Sequence, residues 1–182
     1  MKIKKICRFC GSKKVYTWTN QPTSYVKCFD CNFISVDPLP SKQDLDNHYS
    51  QYHDKNHQAS AEKNALRLQS YHQEISWLLN FLDLNLYSAS RPLSVFDYGC
   101  SGEYFLDVLK SRLHDIPVEL KGDDKSPPAV EVLISKGYYL DYDNLSSNDL
   151  KFDMVILRGV IEHVPDFQDL FKSLSSRLNK GG

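Results

Sequence analysis

The stretch LSVFDYGCSGEYF, residues 93–105, is the most informative part of this 182-residue sequence. Its first six residues are mostly apolar and predict a buried strand. Small residues follow at positions 99–102, and residues 104–114 then place apolar side chains at helical intervals. A strand, a turn of small residues and a helix in this order are typical of the ligand-binding turn of a Rossmann-like fold, because the backbone there can approach a bound molecule closely.

Strands and helices alternate through the rest of the chain. We predict further strands at residues 118–122, 137–140 and 152–157, and helices at 127–136 and 167–178. Alternation at this spacing is typical of a parallel sheet covered by helices. The expected fold class is therefore α/β: an incomplete Rossmann-like parallel sheet of about four strands, preceded by a small cysteine-bearing β module and a helical segment.

Two acidic residues follow the first two predicted strands, where such folds bind ligands. Asp97 ends the first strand, and its carboxylate suits a ligand amine or hydroxyl; the alternative is that it caps the following loop. Asp124 lies 27 residues later and suits the two hydroxyls of a ribose; the alternative is a solvated turn acid beside Asp123. We favour the ligand role for both residues.

The cysteine-bearing module has the spacing of a metal site. Cys7 and Cys10 form one CxxC pair, and Cys28 and Cys31 form a second one after seventeen intervening residues. This spacing is typical of a zinc ribbon, in which four thiolates close a structural tetrahedral site. The alternatives are two unrelated thiol pairs or a redox CxxC. The fifth cysteine, Cys100, is expected to be a packing residue.

Composition limits the classes of partner. With 41% hydrophobic and 25% charged residues the chain is globular, and its net charge of −1 argues against a large nucleic-acid or membrane surface. Residues 1–40 hold seven Lys or Arg and two Asp, so the ribbon is weakly basic. We see neither a signal-peptide pattern nor an apolar run of transmembrane length, and expect a cytoplasmic protein with reduced thiols.

Changes in composition and in hydrophobic pattern divide the chain into three predicted parts. Residues 1–38 form the zinc ribbon, and the Pro-rich stretch DPLPS at 37–41 ends it. Residues 39–90 form a helical connector or substrate-cap segment, with an apolar helical stripe at 59–86. Residues 91–182 form the larger α/β part.

From Val95 to Gly182 the chain resembles a class I S-adenosylmethionine-dependent methyltransferase. The resemblance is carried by DYGCSGEYFL at 97–106, KGDDKSP at 121–127, FDMV at 152–155 with VIEHVPD at 160–166, and LNKGG at 178–182. The ribbon and the Tyr-rich segment after it also resemble the leader of a zinc-ribbon-bearing branch. Residues 91–182 are then the N-terminal part of a methyltransferase domain.

The resemblance implies a set of cofactor-binding residues. The methionine end of the cofactor would lie against Asp97, Tyr98, Gly99, Cys100, Ser101 and Gly102. Asp124 would bind the ribose, and Asp143 and Asn144 would lie near the adenine. Ser101 and Glu103 stand where the family carries its second and third motif glycines.

The resemblance bears on catalysis as well. His163 is a candidate general base, although a structural role is the favoured interpretation. Some related O-methyltransferases bind a divalent metal through Glu-x-x-Glu-His; here Gly159 replaces the first Glu, so we expect no catalytic metal. A sheet of this class has seven strands, and this sequence ends at the turn that normally feeds the fifth. We therefore expect residues 152–157 to be a bare edge, and the chain by itself to be a truncated, inactive methyltransferase.

The predicted function is S-adenosylmethionine-dependent methyl transfer to a small-molecule acceptor, such as a sugar or a biosynthetic intermediate. The alternative is a zinc-ribbon nucleic-acid-binding protein or RNA methyltransferase, in which ribbon aromatics stack on bases. A nicotinamide-dependent enzyme ranks last because the turn lacks G-x-G-x-x-G. His48, His53 and His57 could form a second metal site, but surface positions are favoured.

Overall fold

We describe the protein from a computed structural model, which covers residues 5–20, 23–48, 61–145 and 150–182. These residues form two compact units, one extending to Leu45 and one beginning at Asp46. The three-part division at residues 38 and 90 stays a prediction. No helix in the described ranges is long and apolar enough to cross a membrane.

The smaller unit is a three-stranded antiparallel sheet. Its strands are β1 (Val15–Asn20), β2 (Thr23–Cys28) and β3 (Ile34–Val36), in the order β1-β2-β3. The strand β2 has no counterpart in the sequence-based prediction. Residues 42–48 are helical, and Ser41 begins this helix because its hydroxyl accepts a hydrogen bond from the Asp44 amide at 3.1 Å. His48 is exposed at its end, whereas His53 and His57 lie outside the described residues.

The larger unit alternates helices and strands, as predicted. Its elements are α1 (Ala61–Leu79), β4 (Leu93–Tyr98), α2 (Tyr104–Arg112), β5 (Val118–Asp123), α3 (Pro127–Lys136), β6 (Met154–Ile156) and α4 (Phe167–Ser176). Short 3-10 helices lie at Leu84–Leu86 and Ile161–His163. Gly137 ends α3 in the left-handed conformation that favours glycine, which is why the predicted helix end is correct.

The three strands of this unit form a parallel sheet in the order β5-β4-β6. The predicted strand at 137–140 is reduced to one parallel bridge between Gly122 and Tyr139. The predicted strand at 152–157 is shorter than expected, since only Met154–Ile156 pairs with β4. The α/β class with a parallel sheet is confirmed.

Alternate residues of β4 face opposite sides of the sheet. Leu93 and Val95 belong to a buried cluster with Ile75 of α1 and the inner face of α2. Phe96 belongs to a second cluster with Phe152 and Leu174. Asp97 follows the same alternation as Leu93 and Val95, so its carboxylate lies on the side of the sheet covered by α1 and α2.

Close packing beneath the first loop depends on a glycine of β5. A Cβ atom at Gly122 would lie 2.9 Å from the Cys100 sulfur and 3.1 Å from a methyl group of Leu106. Both distances are shorter than ordinary van der Waals contact. Cys100 is buried there, in agreement with a packing role.

Candidate functional site

The candidate site lies at the carboxyl end of β4. The chain leaves β4 for β5 on one side and later returns to β6 on the other side, so β4 is the strand at which the connections change direction. Open α/β sheets bind ligands in the crevice outside the carboxyl ends of the strands at such a switch point. Asp97 lies near the end of β4, and Asp124 directly follows β5.

The loop after β4 is held by backbone hydrogen bonds to the end of β5. The amides of Gly99 and Cys100 donate to the carbonyl oxygen of Asp123 at 2.9 and 3.0 Å. The Ser101 amide donates to Oδ2 of Asp124 at 2.8 Å, and the Ser126 amide donates to Oδ1 of the same carboxylate at 2.8 Å. The Asp124 side chain is therefore fixed in one orientation between two loops.

The loop passes through backbone conformations that favour glycine. Gly99 and Gly102 have φ of 69° and 125°, and Ser101 has φ of 62°. A left-handed φ costs a side-chain-bearing residue roughly 1–2 kcal/mol, so the loop keeps its shape at Ser101 at an energetic cost. Glu103 has φ of −86° and ψ of −22°, an ordinary right-handed conformation that needs no glycine.

Asp97 is the most deeply buried acidic residue of the site, with none of its surface exposed. Its Oδ2 accepts a hydrogen bond from a guanidinium nitrogen of Arg158 at 3.1 Å, while Oδ1 has no hydrogen-bond partner among the described residues. Burial raises the pKa of Asp97 to about 6, although the charge of Arg158 and its hydrogen bond act to lower the pKa.

Arg158 is the residue of this site that the sequence prediction missed. It follows β6 by two positions, and its guanidinium lies 3.8 Å from the ring centroid of Phe105 and 4.6 Å from that of Tyr71. A second guanidinium nitrogen lies 3.7 Å from a carboxylate oxygen of Glu74. The signal in the sequence was a charged residue directly after an apolar strand. Such a residue lies at the carboxyl ends of the strands, where the other site residues were predicted.

The other predicted site residues lie at different depths. Tyr98 is half-buried, and burial, followed by the negative charge of Asp143, raises its pKa to about 12. Asp143 and Asn144 are exposed, and the Asn144 side-chain amide donates to Asp141 at 3.0 Å. His163 is exposed in the 3-10 helix Ile161–His163.

The four cysteines of the smaller unit form one cluster. The sulfur atoms of Cys7 and Cys31 are 3.6 Å apart, as are those of Cys10 and Cys28, and all four lie within 4.8 Å of one another. A tetrahedral zinc site with Zn–S bonds of ~2.3 Å has sulfur–sulfur distances of about 3.8 Å. All four cysteines are free thiols, since these separations exceed the ~2.05 Å of a disulfide bond.

Comparison with known proteins agrees with the α/β architecture. The fold is that of a class I S-adenosylmethionine-dependent methyltransferase. The chain belongs to the family described as "Methyltransferase domain", whose profile matches residues 69–182. Helix α1 from its ninth residue onward is therefore part of the matched region, together with everything after it.

Part of the chain is similar to solved structures of the plantazolicin methyltransferase BpumL. The complex with SAH is 17% identical to the chain, with a TM-score of 0.47. The complex with a pentazolic desmethylPZN analog and SAH is 18% identical, also with a TM-score of 0.47. Each comparison covers 75% of this chain and 56% of the BpumL chain, so the chain spans little more than half the length of that protein. No curated protein matches the sequence.

Proposed function

We propose that the chain binds S-adenosylmethionine at the end of β4 and acts in methyl transfer to a small-molecule acceptor. The observation that carries the proposal is Oδ1 of Asp97, which is buried without a partner among the described residues beside a loop rich in small residues. A buried carboxylate oxygen that lacks a donor is costly. A ligand ammonium group beside Asp97 removes that cost.

The residues of the loop and of Asp124 fit the remainder of the cofactor. The backbone from Tyr98 to Gly102 would line its methionine part, and Gly102 leaves open space, because an added Cβ there would have no neighbour within 4 Å. Asp124 would accept the ribose hydroxyls. It already accepts two backbone N–H groups, but a carboxylate has about four acceptor positions, so each oxygen can accept one more bond. Asp143 and Asn144 remain the candidates nearest the adenine.

The cofactor supplies an electrophilic methyl group, and the protein's main contribution is to position the two reactants in line. His163 is exposed on the loop after β6 and would serve as a base only for an acceptor that must lose a proton. A small-molecule acceptor is favoured by the net charge of −1, because binding a nucleic acid generally depends on a strongly basic surface.

Isothermal titration of the chain with S-adenosylhomocysteine tests the cofactor site. We expect micromolar binding that Asp124→Asn weakens roughly tenfold, since it loses a charge-assisted acceptor. Asp115→Asn is the matched control, because the Asp115 side chain is 85% exposed and contacts only His114 among the ion pairs of the described residues. Absence of binding to the unsubstituted chain, or equal losses in both variants, would overturn the proposal.

We also propose that Cys7, Cys10, Cys28 and Cys31 bind one structural zinc ion in a cytoplasmic, reducing environment. The sulfur–sulfur distances fit a zinc tetrahedron, and four protein ligands leave no position for a substrate. The small unit buries few large apolar side chains of its own, so the metal is expected to contribute much of its stability.

A second candidate function, single-stranded nucleic-acid binding, is favoured by one face of the smaller sheet. Tyr16 stacks on Trp18, and Trp18 stacks on Tyr25, with ring centroids 6.0 and 5.3 Å apart. Tyr16 is 53% exposed, and Lys27 lies opposite it on β2. Titration with a short single-stranded RNA at two salt concentrations tests this candidate, and binding that does not weaken with salt would exclude it.

A further inference from the structure

The ion pair between Asp97 and Arg158 is buried, and each partner has one polar atom that is not satisfied. Oδ1 of Asp97 and Nε of Arg158 have no hydrogen-bond partner among the described residues. Buried ion pairs are weak contributors to stability because desolvation offsets much of the attraction between the charges. The unsatisfied atoms add to that cost, so the pair is poorly explained as a stabilising element alone.

The two unsatisfied atoms are a carboxylate oxygen and a guanidinium N–H, one acceptor and one donor. An α-amino acid group offers the complementary pair, an ammonium with three donors and a carboxylate with only acceptors. Both protein groups lie at the carboxyl ends of neighbouring parallel strands, beside the loop that begins at Gly99. An amino acid group bound at this strand end would satisfy both atoms, the carboxylate oxygen with its ammonium and the guanidinium N–H with its carboxylate.

The guanidinium of Arg158 is held in a defined plane. The rings of Tyr71 and Phe105 lie 4.6 and 3.8 Å from its central carbon, from α1 and α2 respectively. Glu74 of α1 supplies a second negative charge at 3.7 Å. Glu74 therefore helps to balance the charge of Arg158 when Asp97 also contacts a ligand ammonium, and Nε remains the unsatisfied donor for a carboxylate.

We propose that Arg158 binds the carboxylate of the cofactor's methionine moiety while Asp97 binds its ammonium group, so that the pair recognises an amino acid zwitterion. This inference rests on the proposed function, because it assigns a ligand to one part of the same site. Arg158 is thereby a binding residue, and Tyr71, Phe105 and Glu74 are positioning residues that act through it.

The test compares three ligands by isothermal titration of the chain. S-Adenosylhomocysteine has the complete amino acid group, its decarboxylated analogue lacks only the carboxylate, and 5′-methylthioadenosine lacks the whole group. We expect the unsubstituted chain to bind the decarboxylated analogue roughly 30-fold more weakly than S-adenosylhomocysteine, as for loss of a charge-assisted hydrogen bond. In Arg158→Met this difference between the two ligands should vanish, whereas binding of 5′-methylthioadenosine should change less than threefold.

The control is Arg112→Met. Arg112 also joins α2 to α1, through a hydrogen bond to Ser76 at 3.0 Å, but it does not contact Asp97. It should leave the affinities for all three ligands within about twofold. Arg158→Lys keeps the charge without the fork and is expected to recover only part of the discrimination.

The outcomes separate this inference from the proposed function. If the unsubstituted chain binds all three ligands equally, or if Arg158→Met weakens all three by the same factor, the assignment of Arg158 is wrong and the adenosine site stands. If the unsubstituted chain binds none of them, the proposed function fails and this inference fails with it. The comparison of ligands on the unsubstituted chain remains decisive even if Arg158→Met does not fold.

Discussion

Replacing Gly99 by alanine should destabilise the larger unit through two separable effects. The backbone at Gly99 has φ of 69°, which costs a side-chain-bearing residue roughly 1–2 kcal/mol. The added Cβ would also lie 2.6 Å from a methyl group of Val160. Valine is restricted at χ1, so relief of this overpacking costs roughly 1–3 kcal/mol more. The two contributions together give a loss of roughly 2–5 kcal/mol in the free energy of unfolding.

Urea unfolding followed by helical circular dichroism measures this loss, because all four labelled helices, α1 to α4, lie in the larger unit. Gly137→Ala is the matched control: Gly137 has φ of 74°, but an added Cβ there has no neighbour within 4 Å. It should lose only the backbone component, roughly 1–2 kcal/mol. Val160→Ala should relieve the clash, so the double variant should lose less than the sum of its single losses. Equal losses for Gly99→Ala and Gly137→Ala, or strict additivity with Val160→Ala, would refute the reasoning.

Three further predictions concern the metal, the pH dependence and a buried carboxylate. Cobalt titration of the reduced chain should show one tetrahedral thiolate site, which Cys28→Ser abolishes and Cys100→Ala retains; a site that survives in Cys28→Ser contradicts the four-cysteine cluster. The raised pKa of Asp97, about 6 in the folded state and 3.8 as its ordinary value, means that the folded state binds the proton more tightly. The charged groups that act on Asp97 are Arg158, Asp124 and Glu74. Ionisation of Asp97 should therefore lower the free energy of unfolding by up to roughly 3 kcal/mol as pH rises from about 4 to 6. In Asp97→Asn, the urea midpoint should not show this part of the decrease with pH. Asp153→Ala should cost about 2–3 kcal/mol in the same urea assay, because it removes bonds to the Ser94 amide at 3.0 Å and the Asn179 side chain at 2.9 Å; a loss below 1 kcal/mol would contradict it.

The elements with strong local signals were predictable from the sequence. The strand Leu93–Tyr98 has its predicted bounds because a buried apolar run is followed at once by small residues. The end of α3 at Gly137 and the start of the helix after Ser41 follow from capping chemistry that involves only neighbouring residues.

Features that depend on long-range packing were not predictable in this way. The sequence-based prediction did not include β2, because Thr23–Cys28 is recognisable as a strand mainly from its hydrogen-bonded pairing with β1 and β3 in the structure. Residues 137–140 have strand composition, yet only Tyr139 pairs with β5. The surroundings of Arg158 come from three separate elements, and no spacing rule joins Tyr71, Phe105 and Asp97. The roles assigned to the predicted cofactor residues stay predictions.

The contact between Gly122 and Cys100 has a consequence for how this sequence can diverge. A Cβ at position 122 would lie 2.9 Å from the Cys100 sulfur, so the two positions share one small volume. Selection then acts on the sum of their sizes rather than on either residue alone. In homologous chains, alanine or serine at position 122 should accompany a smaller side chain at position 100. A substitution at one position should therefore change which residues are tolerated at the other.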